Sequence, residues 1–433
     1  MNKRPIKIMH NQMSKRSLFK LIVKIGIGIL LMVFAFSCAR IPGLKEEVSG
    51  PVIKVPFVRV LIDDSQSKIN IGSKGSFAVE CLDDGHQNVV YANKSVKVEN
   101  IKGNLVVKNK KGQLINQNLD EVNIIPRGND KHLYYNKKPY RGIVKLIPAG
   151  NNLSVINILY MEDYLRGVVP PEIGKRSKDE IEAVKAQAIA ARTYAMAHLK
   201  QYPDEQYDMR SSIIDQVYEG IKVEQKLTNK AINATAGDVI TYHDDFINAY
   251  YHSTCGGMTD DIEDVWDRKE IPYLKAVSDS SACSWSKYYN WEEIFTEKQL
   301  RNRIEQYLSS DRGRDMRIGK IKDIVIVETS PGGRIAKLVI ETNNDRFFFK
   351  KDRIRWVFGR TSNPDLILPS NRFKVNLRRN SNGKIEKIIL TGSGYGHGVG
   401  MCQCGAIGLA RVGWNCNQIL KHYYKNVEIK QIY

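Results

Sequence analysis

Residues 177–200 carry a helix signal that leaves the chain few alternatives. Ser177-x-x-Glu180 has the form of a capping box, in which two residues at a helix start satisfy each other's backbone donors. From 181 to about 200, Val184, Ala188, Ala191 and Ala195 then fall on one face. Alanine has so small a side chain that a neighbouring element can approach that face closely. Lys185 and Arg192 are seven apart and share another face, and a basic helix face is ordinarily solvated.

The flanking pattern is mostly β. Short, partly alternating runs at 58–62, 105–108, 122–126 and 144–147 are separated by Gly, Asn and Asp turns, and none carries a catalytic constellation. A strand pair is expected at 238–242 and 246–251 around a turn at 243–245. A helix is expected at 297–308, and strands at 321–327, 335–341, 373–377 and 385–390. Helices at 406–412 and 416–424 close the chain. This order predicts an α+β protein. A β-rich part, 57–157, precedes a mixed α/β core, 158–433, with one strong Ala-rich helix.

The first 37 residues hold seven Lys/Arg and no acid, with an apolar run at 25–36. That run is shorter than the roughly 20 residues a membrane span needs, and it fits the core of a signal peptide. Ala35-Phe36-Ser37-Cys38 resembles a bacterial lipobox, which makes Cys38 the lipidated residue and 38–56 a linker; an ordinary signal or uncleaved anchor is the alternative. The net charge of +19 leaves +12 beyond residue 37. A basic surface of this kind attracts anionic polymers or membranes, and an export signal argues against nucleic acid as that polymer.

Chemistry concentrates in two distant places. Glu172 follows Pro170-Pro171, which stiffen the backbone before it, and its neighbours Val168, Val169 and Ile173 are apolar. An apolar pocket would raise its pKa and keep a proton available near neutrality. The plainer reading is an acid on the loop entering the helix at 181, favoured by the helix dipole. More than two hundred residues later, His397 sits in the glycine-rich run Gly392-Ser-Gly-Tyr-Gly-His397-Gly-Val-Gly-Met-Cys-Gln403. For one site to exist, this loop must share a cleft with Glu172, with Gln403 or Ser253 beside them.

Five blocks, in order, resemble the stage II sporulation protein D family. They are Tyr164-Leu-x-Gly167-Val-Val-x-x-Glu172; Glu182-Ala-Val-Lys-Ala-Gln-Ala-x-Ala-Ala-Arg-Thr-Tyr194; Asp215-Gln-Val-Tyr218-x-Gly220; Ala249-Tyr-Tyr-His252-Ser253-Thr-Cys-Gly-Gly257; and Gly394-Tyr-Gly-His397-Gly-Val-Gly-Met401-x-Gln403-x-Gly405-Ala406. The resemblance covers roughly 58–433. It implies a lytic transglycosylase that cuts peptidoglycan between N-acetylmuramic acid and N-acetylglucosamine, with Glu172 as general acid/base. One carboxylate suffices there, because the sugar's own 6-hydroxyl replaces water as nucleophile and leaves a 1,6-anhydro end. Lys185 and Arg192 are then expected at the lactyl carboxylate. His397 is expected to bond substrate or orient the acid, and Gln187, Tyr218, Ser253 and Gln403 to line the cleft. No cofactor is required. Partners are glycan strands and, through the lipid, the membrane facing the cell-wall compartment (periplasm or cell surface). Some family members enhance a cell-wall amidase, which makes a non-catalytic glycan-binding module the first rival reading.

Of the seven cysteines, Cys81, Cys255, Cys283, Cys402, Cys404 and Cys416 follow Cys38, and no C-x-x-C zinc pair exists. His252, Cys255 and Cys283 are three zinc-type ligands, with His397 or Cys402 as a fourth, and would suit a zinc-dependent hydrolase. A Cys255–Cys283 disulfide competes with that reading, and on sequence both remain open.

The lipobox yields the first prediction. Fatty-acid labelling and membrane fractionation should both be present in the native chain and both be lost in Cys38→Ala. Soluble, unlabelled native protein would refute it.

Overall fold

The computed structural model describes residues 54–433, apart from 84–85, 129–130, 200–204, 213–214 and 364. Cys38, the expected signal peptide and most of the expected linker lie outside these residues. The architecture is α+β, and its N-terminal part is β-rich.

That part is a single antiparallel sheet with one parallel edge. Its path runs Met209–Arg210, Phe57–Gln66, Asn152–Tyr160, Ile143–Ala149, Glu121–Pro126, Lys68–Asp83, His86–Ile101, Asn104–Asn109 and Leu114–Leu119. Alternation fixes which face is buried. Val58 and Val60 point inward, in register with Leu159 and Asn157 on the neighbouring strand. Helix α1, Met161–Ile173, follows the strand Asn152–Tyr160 without a loop.

Helix α2, Ile181–His198, is the Ala-rich segment, and it is enclosed on nearly every side. Ala183, Val184, Ala186, Ala188, Ile189, Ala190, Ala191 and Ala195 are all buried. The sequence pattern anticipated one apolar face. The enclosure is wider because helix α1, helix Lys226–Ala234, helix α3 (Gln403–Arg411), helix Cys416–Tyr423 and the strand Asp238–Tyr242 all pack against it. Alanine at many positions permits these close approaches. The expected cap is present as a short 3-10 turn, Lys178–Glu180, in which the Glu180 carboxylate accepts the Ser177 N–H at 3.0 Å.

Enclosure decides what Arg192 does. Its side chain is fully buried, so it cannot stay a solvated cation. Its Nε and Nη2 donate to the two Glu162 oxygens at 2.8 and 2.7 Å, and its Nη1 donates to the Asp238 carbonyl at 3.0 Å. The expectation that Arg192 meets a substrate carboxylate is thereby corrected: its donors face helix α1 and the strand beside it.

One core runs across residue 157, from Val58 and Ile124 in the sheet to Tyr164, Ile189 and Leu420 in the helices. A second core lies within 295–390. Leu300 and Ile304 of the helix Glu297–Arg312 pack there with Phe358 of the helix Arg353–Phe358 and with Ile340 and Leu390 from small antiparallel sheets. The strand Ile385–Gly392 leaves this second core and delivers the glycine-rich loop.

Arg192→Ala should destabilise the fold by about 3–5 kcal/mol, because it strands a partly buried Glu162 carboxylate. Denaturant titration would measure this. A loss under 1 kcal/mol would mean the pair carries little.

Candidate functional site

Two prolines shape the last turn of helix α1. Pro170 and Pro171 lie inside the helix, and Glu172 follows them within it, not on a loop as the sequence suggested. Each proline lacks the N–H that would bond the carbonyl four residues earlier, so the helix loses two bonds at its end. The removal of the Pro171 N–H frees the Gly167 carbonyl, which accepts the Glu219 N–H at 3.2 Å. That bond docks the segment 215–219 against the helix end. Gly167 must lack a side chain for this, since a Cβ would lie 2.5 Å from the Tyr218 ring. The same docking points the Val217 N–H at Glu172 Oε1, 3.4 Å away.

The opposite side of Glu172 comes from the end of the chain. The strands Tyr251–His252 and Met401–Cys402 pair in parallel, Tyr251 with Met401 and His252 with Cys402. Gln403 then opens helix α3, and its Nε2 lies 3.4 Å from both Glu172 Oε2 and Gln187 Oε1. The Tyr251 hydroxyl accepts from Gln216 Nε2 at 3.0 Å, and Gln216 in turn accepts from the Tyr164 hydroxyl at 2.9 Å. The Tyr251 proton is therefore left for Glu172, with which it interacts.

Burial raises the Glu172 pKa above the ordinary 4.5, against the Val217 N–H, Gln403 and Tyr251, which favour the anion. The carboxyl opens into a cleft of about 610 Å³. Its walls are largely aromatic, with Tyr194, Tyr250, Tyr251, Trp266 and Tyr395, and Asp215, His252, Ser253, His397 and Gln403 are its polar members beside Glu172. Aromatic walls with a few placed polar groups are the usual make-up of a ligand cleft. Glu172 and the loop at His397 thus face one cavity.

His397 is anchored by the backbone. Its Nε2 lies 3.0 Å from the Tyr251 carbonyl and its Nδ1 accepts the Val399 N–H at 3.1 Å, which sets the tautomer. Burial pushes its pKa down to about 4, so it is neutral near pH 7. With both nitrogens engaged, it offers the cleft a ring face. The loop itself is held by Arg334, which pairs with buried Asp260 at 2.6 Å and donates to the Gly396 carbonyl at 3.3 Å. Gly398, at φ +91°, leaves room for that guanidinium; a Cβ would lie 2.2 Å from its Nε.

The other expected residues divide. Ser253, Gln403 and, through Gln403, Gln187 belong to the cleft. Lys185 pairs with Glu182 at 2.7 Å on helix α2 and is not in the cleft lining. Tyr218 is buried, and its hydroxyl donates to Asn157 at 2.7 Å beneath the docked segment. The metal set is corrected. His252 bonds the Val399 carbonyl at 3.2 Å and stands apart from the thiols, whereas Cys255, Cys283 and Cys402 gather with Asp279. Asp279 carried no sequence signal, since it belongs to no motif. Asp215 was also overlooked, although it opens the Asp-Gln-Val-Tyr block. It lines the cleft, and its Oδ2 accepts the Arg210 N–H at 2.8 Å.

Comparison with known proteins follows the same segments. Residues 149–242 match the family described as stage II sporulation protein, and 282–400 match a domain of unknown function (DUF8618). An uncharacterized protein of Brachyspira hyodysenteriae is 32% identical over 379 residues, covering 86% of this chain and 92% of that protein. Stage II sporulation protein D of Bacillus subtilis is 30% identical over 298 residues, covering 65% of this chain and 77% of the relative. The amidase enhancer of Bacillus subtilis is 28% identical over 293 residues, 60% of this chain and 39% of the enhancer.

A raised Glu172 pKa has a stability signature. Its folded form prefers the proton, so its contribution is full below pH 4.5 and is lost as pH rises through the folded pKa. Glu172→Gln carries no such loss. The mutant should therefore gain stability relative to the native chain as pH rises from 4.5 towards neutrality. Denaturant midpoints that move in parallel across that range would contradict it.

Proposed function

The chain belongs to the stage II sporulation protein D family, and on that premise we propose that it is an exported peptidoglycan lytic transglycosylase, lipid-anchored at Cys38. The observation that carries this reading is Glu172 itself: a buried carboxyl whose pKa burial raises, in an aromatic-walled cleft beside the Gln403 amide. Protonated Glu172 gives its proton to the glycosidic oxygen as the bond from the muramic acid anomeric carbon to that oxygen breaks. The 6-hydroxyl of the same sugar then attacks that carbon, and its proton returns to the Glu172 carboxylate. No water enters, and the product is a 1,6-anhydro end. Tyr251 and the Val217 N–H support the anionic half of the cycle.

Charge supports an anionic polymer as substrate. A neighbouring groove of about 670 Å³ meets the cleft at Pro171, and Lys175, Arg176, Lys222 and Lys226 line it. These lysines and this arginine are cations available for lactyl or peptide carboxylates, the task that Arg192 cannot perform.

Two other readings rest on particular observations. Asp215 gives the cleft a second carboxylate, which a hydrolase would use. The likeness to the amidase enhancer supports a module that grips glycan for a partner amidase. Digestion of purified sacculi with mass analysis separates all three. The transglycosylase yields anhydro-muropeptides, and Glu172→Gln should lower their rate by about a hundred- to ten-thousand-fold. Reducing ends that disappear in Asp215→Asn would establish a hydrolase. Absence of cleavage, with stimulation of an added amidase, would establish the enhancer.

A further inference from the structure

Behind the cleft, four buried donors converge with no assigned role. The sulfurs of Cys255, Cys283 and Cys402 and a carboxylate oxygen of Asp279 all lie within 4.8 Å of one another. The Cys255 and Cys283 sulfurs are 3.5 Å apart, and Cys255 Sγ is 2.9 Å from Asp279 Oδ2. The three thiols are unbonded to one another. In a tetrahedral zinc site with Zn–S near 2.3 Å, neighbouring sulfurs stand roughly 3.8 Å apart, so the donors already have nearly the required spacing.

The surroundings suit thiolates. Cys402 Sγ accepts the Cys255 and Gly405 N–H groups, both at 3.2 Å, and Cys255 Sγ accepts the Gly257 N–H at 3.3 Å. Cys402 is also the N-cap of helix α3, at the positive end of its dipole. Such donors orient and stabilise metal-bound sulfur. What is missing is positive charge. Asp279 is 1% exposed, and among the described residues no Lys or Arg pairs with it. Its Oδ1 is buried without a hydrogen-bond partner, and so is the Tyr423 hydroxyl. A Cβ on Gly405 would touch that hydroxyl, Asp279 Oδ2 and Cys402 Sγ together, so the unpartnered hydroxyl lies beside this cluster. A buried carboxylate among three thiols with no cation is costly, and a divalent cation at their centre removes that cost.

We infer that Cys255, Cys283, Cys402 and Asp279 form a structural zinc site. Sulfur-rich tetrahedral donors select zinc over magnesium or calcium, and four protein ligands leave no open position for catalysis. Each thiol that binds releases its proton to solvent, so zinc enters as the dication and three thiol protons leave. The metal ties the segment after His252 and the loop carrying Asp279 and Cys283 to the start of helix α3. Ser253 and Gln403 are thereby held at Glu172 from behind. This site stands whether Glu172 is catalytic or not.

The test uses the full chain, purified without chelator. Elemental analysis should find about one zinc per chain. Cobalt exchanged for zinc should show thiolate-to-cobalt charge-transfer absorption and the intense visible bands of a tetrahedral ion. Cys402→Ser and Asp279→Asn should each lose the metal or bind it at least tenfold more weakly. His252→Gln and Cys416→Ser should keep it. Should the Cys402 variant fail to fold, chelator titration of the native chain still decides: the unfolding midpoint should fall by several degrees and recover when zinc alone is restored. The inference is overturned if the native chain takes up no zinc, if His252→Gln abolishes uptake, or if alkylation mapping of freshly purified protein finds a Cys255–Cys283 disulfide.

Discussion

The site depends on a two-residue parallel pairing, that of Tyr251–His252 with Met401–Cys402. It joins segments about 150 residues apart, and Tyr251 and Gln403 beside Glu172 are placed by it. Tyr251 sits on one strand and presents its hydroxyl to the carboxyl, while Gln403 follows the other and presents its amide. His397 bonds the Tyr251 carbonyl, and the Cys404 N–H bonds the Ser253 carbonyl at 2.9 Å, which extends the join on both sides. So short a pairing contributes few hydrogen bonds, and it persists because its neighbours over-determine it.

Helix α2 is the most important of those neighbours. Its alanines let helices α1 and α3 come near enough for Gln187, Gln403 and Glu172 to meet. Larger side chains along it would push those helices apart. The opposing constraint comes from the second core, whose Arg334 reaches Asp260, the Gly396 carbonyl and the Cys255 carbonyl at 3.4 Å. The glycine-rich loop is thus pinned by a buried cation on one side and by His397 on the other. A loop of this composition has little order of its own, so these anchors supply it.

Burial then sets the chemistry. The same enclosure that makes Arg192 an internal tie raises the Glu172 pKa and keeps His397 neutral. The difference is in partners: Arg192 meets a carboxylate, whereas Glu172 meets only neutral donors. Protonation is the cheaper way for a lone buried carboxyl to exist.

Sequence alone determined what depends on short-range order. The capped Ala-rich helix, the alternating strands and the helix starts at 297 and 416 were legible because their signals lie within a few residues of the structure they specify. The apolar setting of Glu172 was legible too, as was the need for a glycine-rich loop near it. Tertiary structure decided which side of an element would be enclosed. Arg192 and Tyr218 looked like cleft residues, but burial on all sides of helix α2 and docking of 215–219 gave both internal partners. It also decided that Glu172 ends a helix, since the Gly167 carbonyl freed by Pro171 finds its donor fifty residues away. The fourth donor beside the three thiols, Asp279 in place of His252, was likewise a matter of convergence. Local sequence encodes backbone preference and hydrophobic period. Which side chains meet is fixed only when distant segments compete for the same buried space.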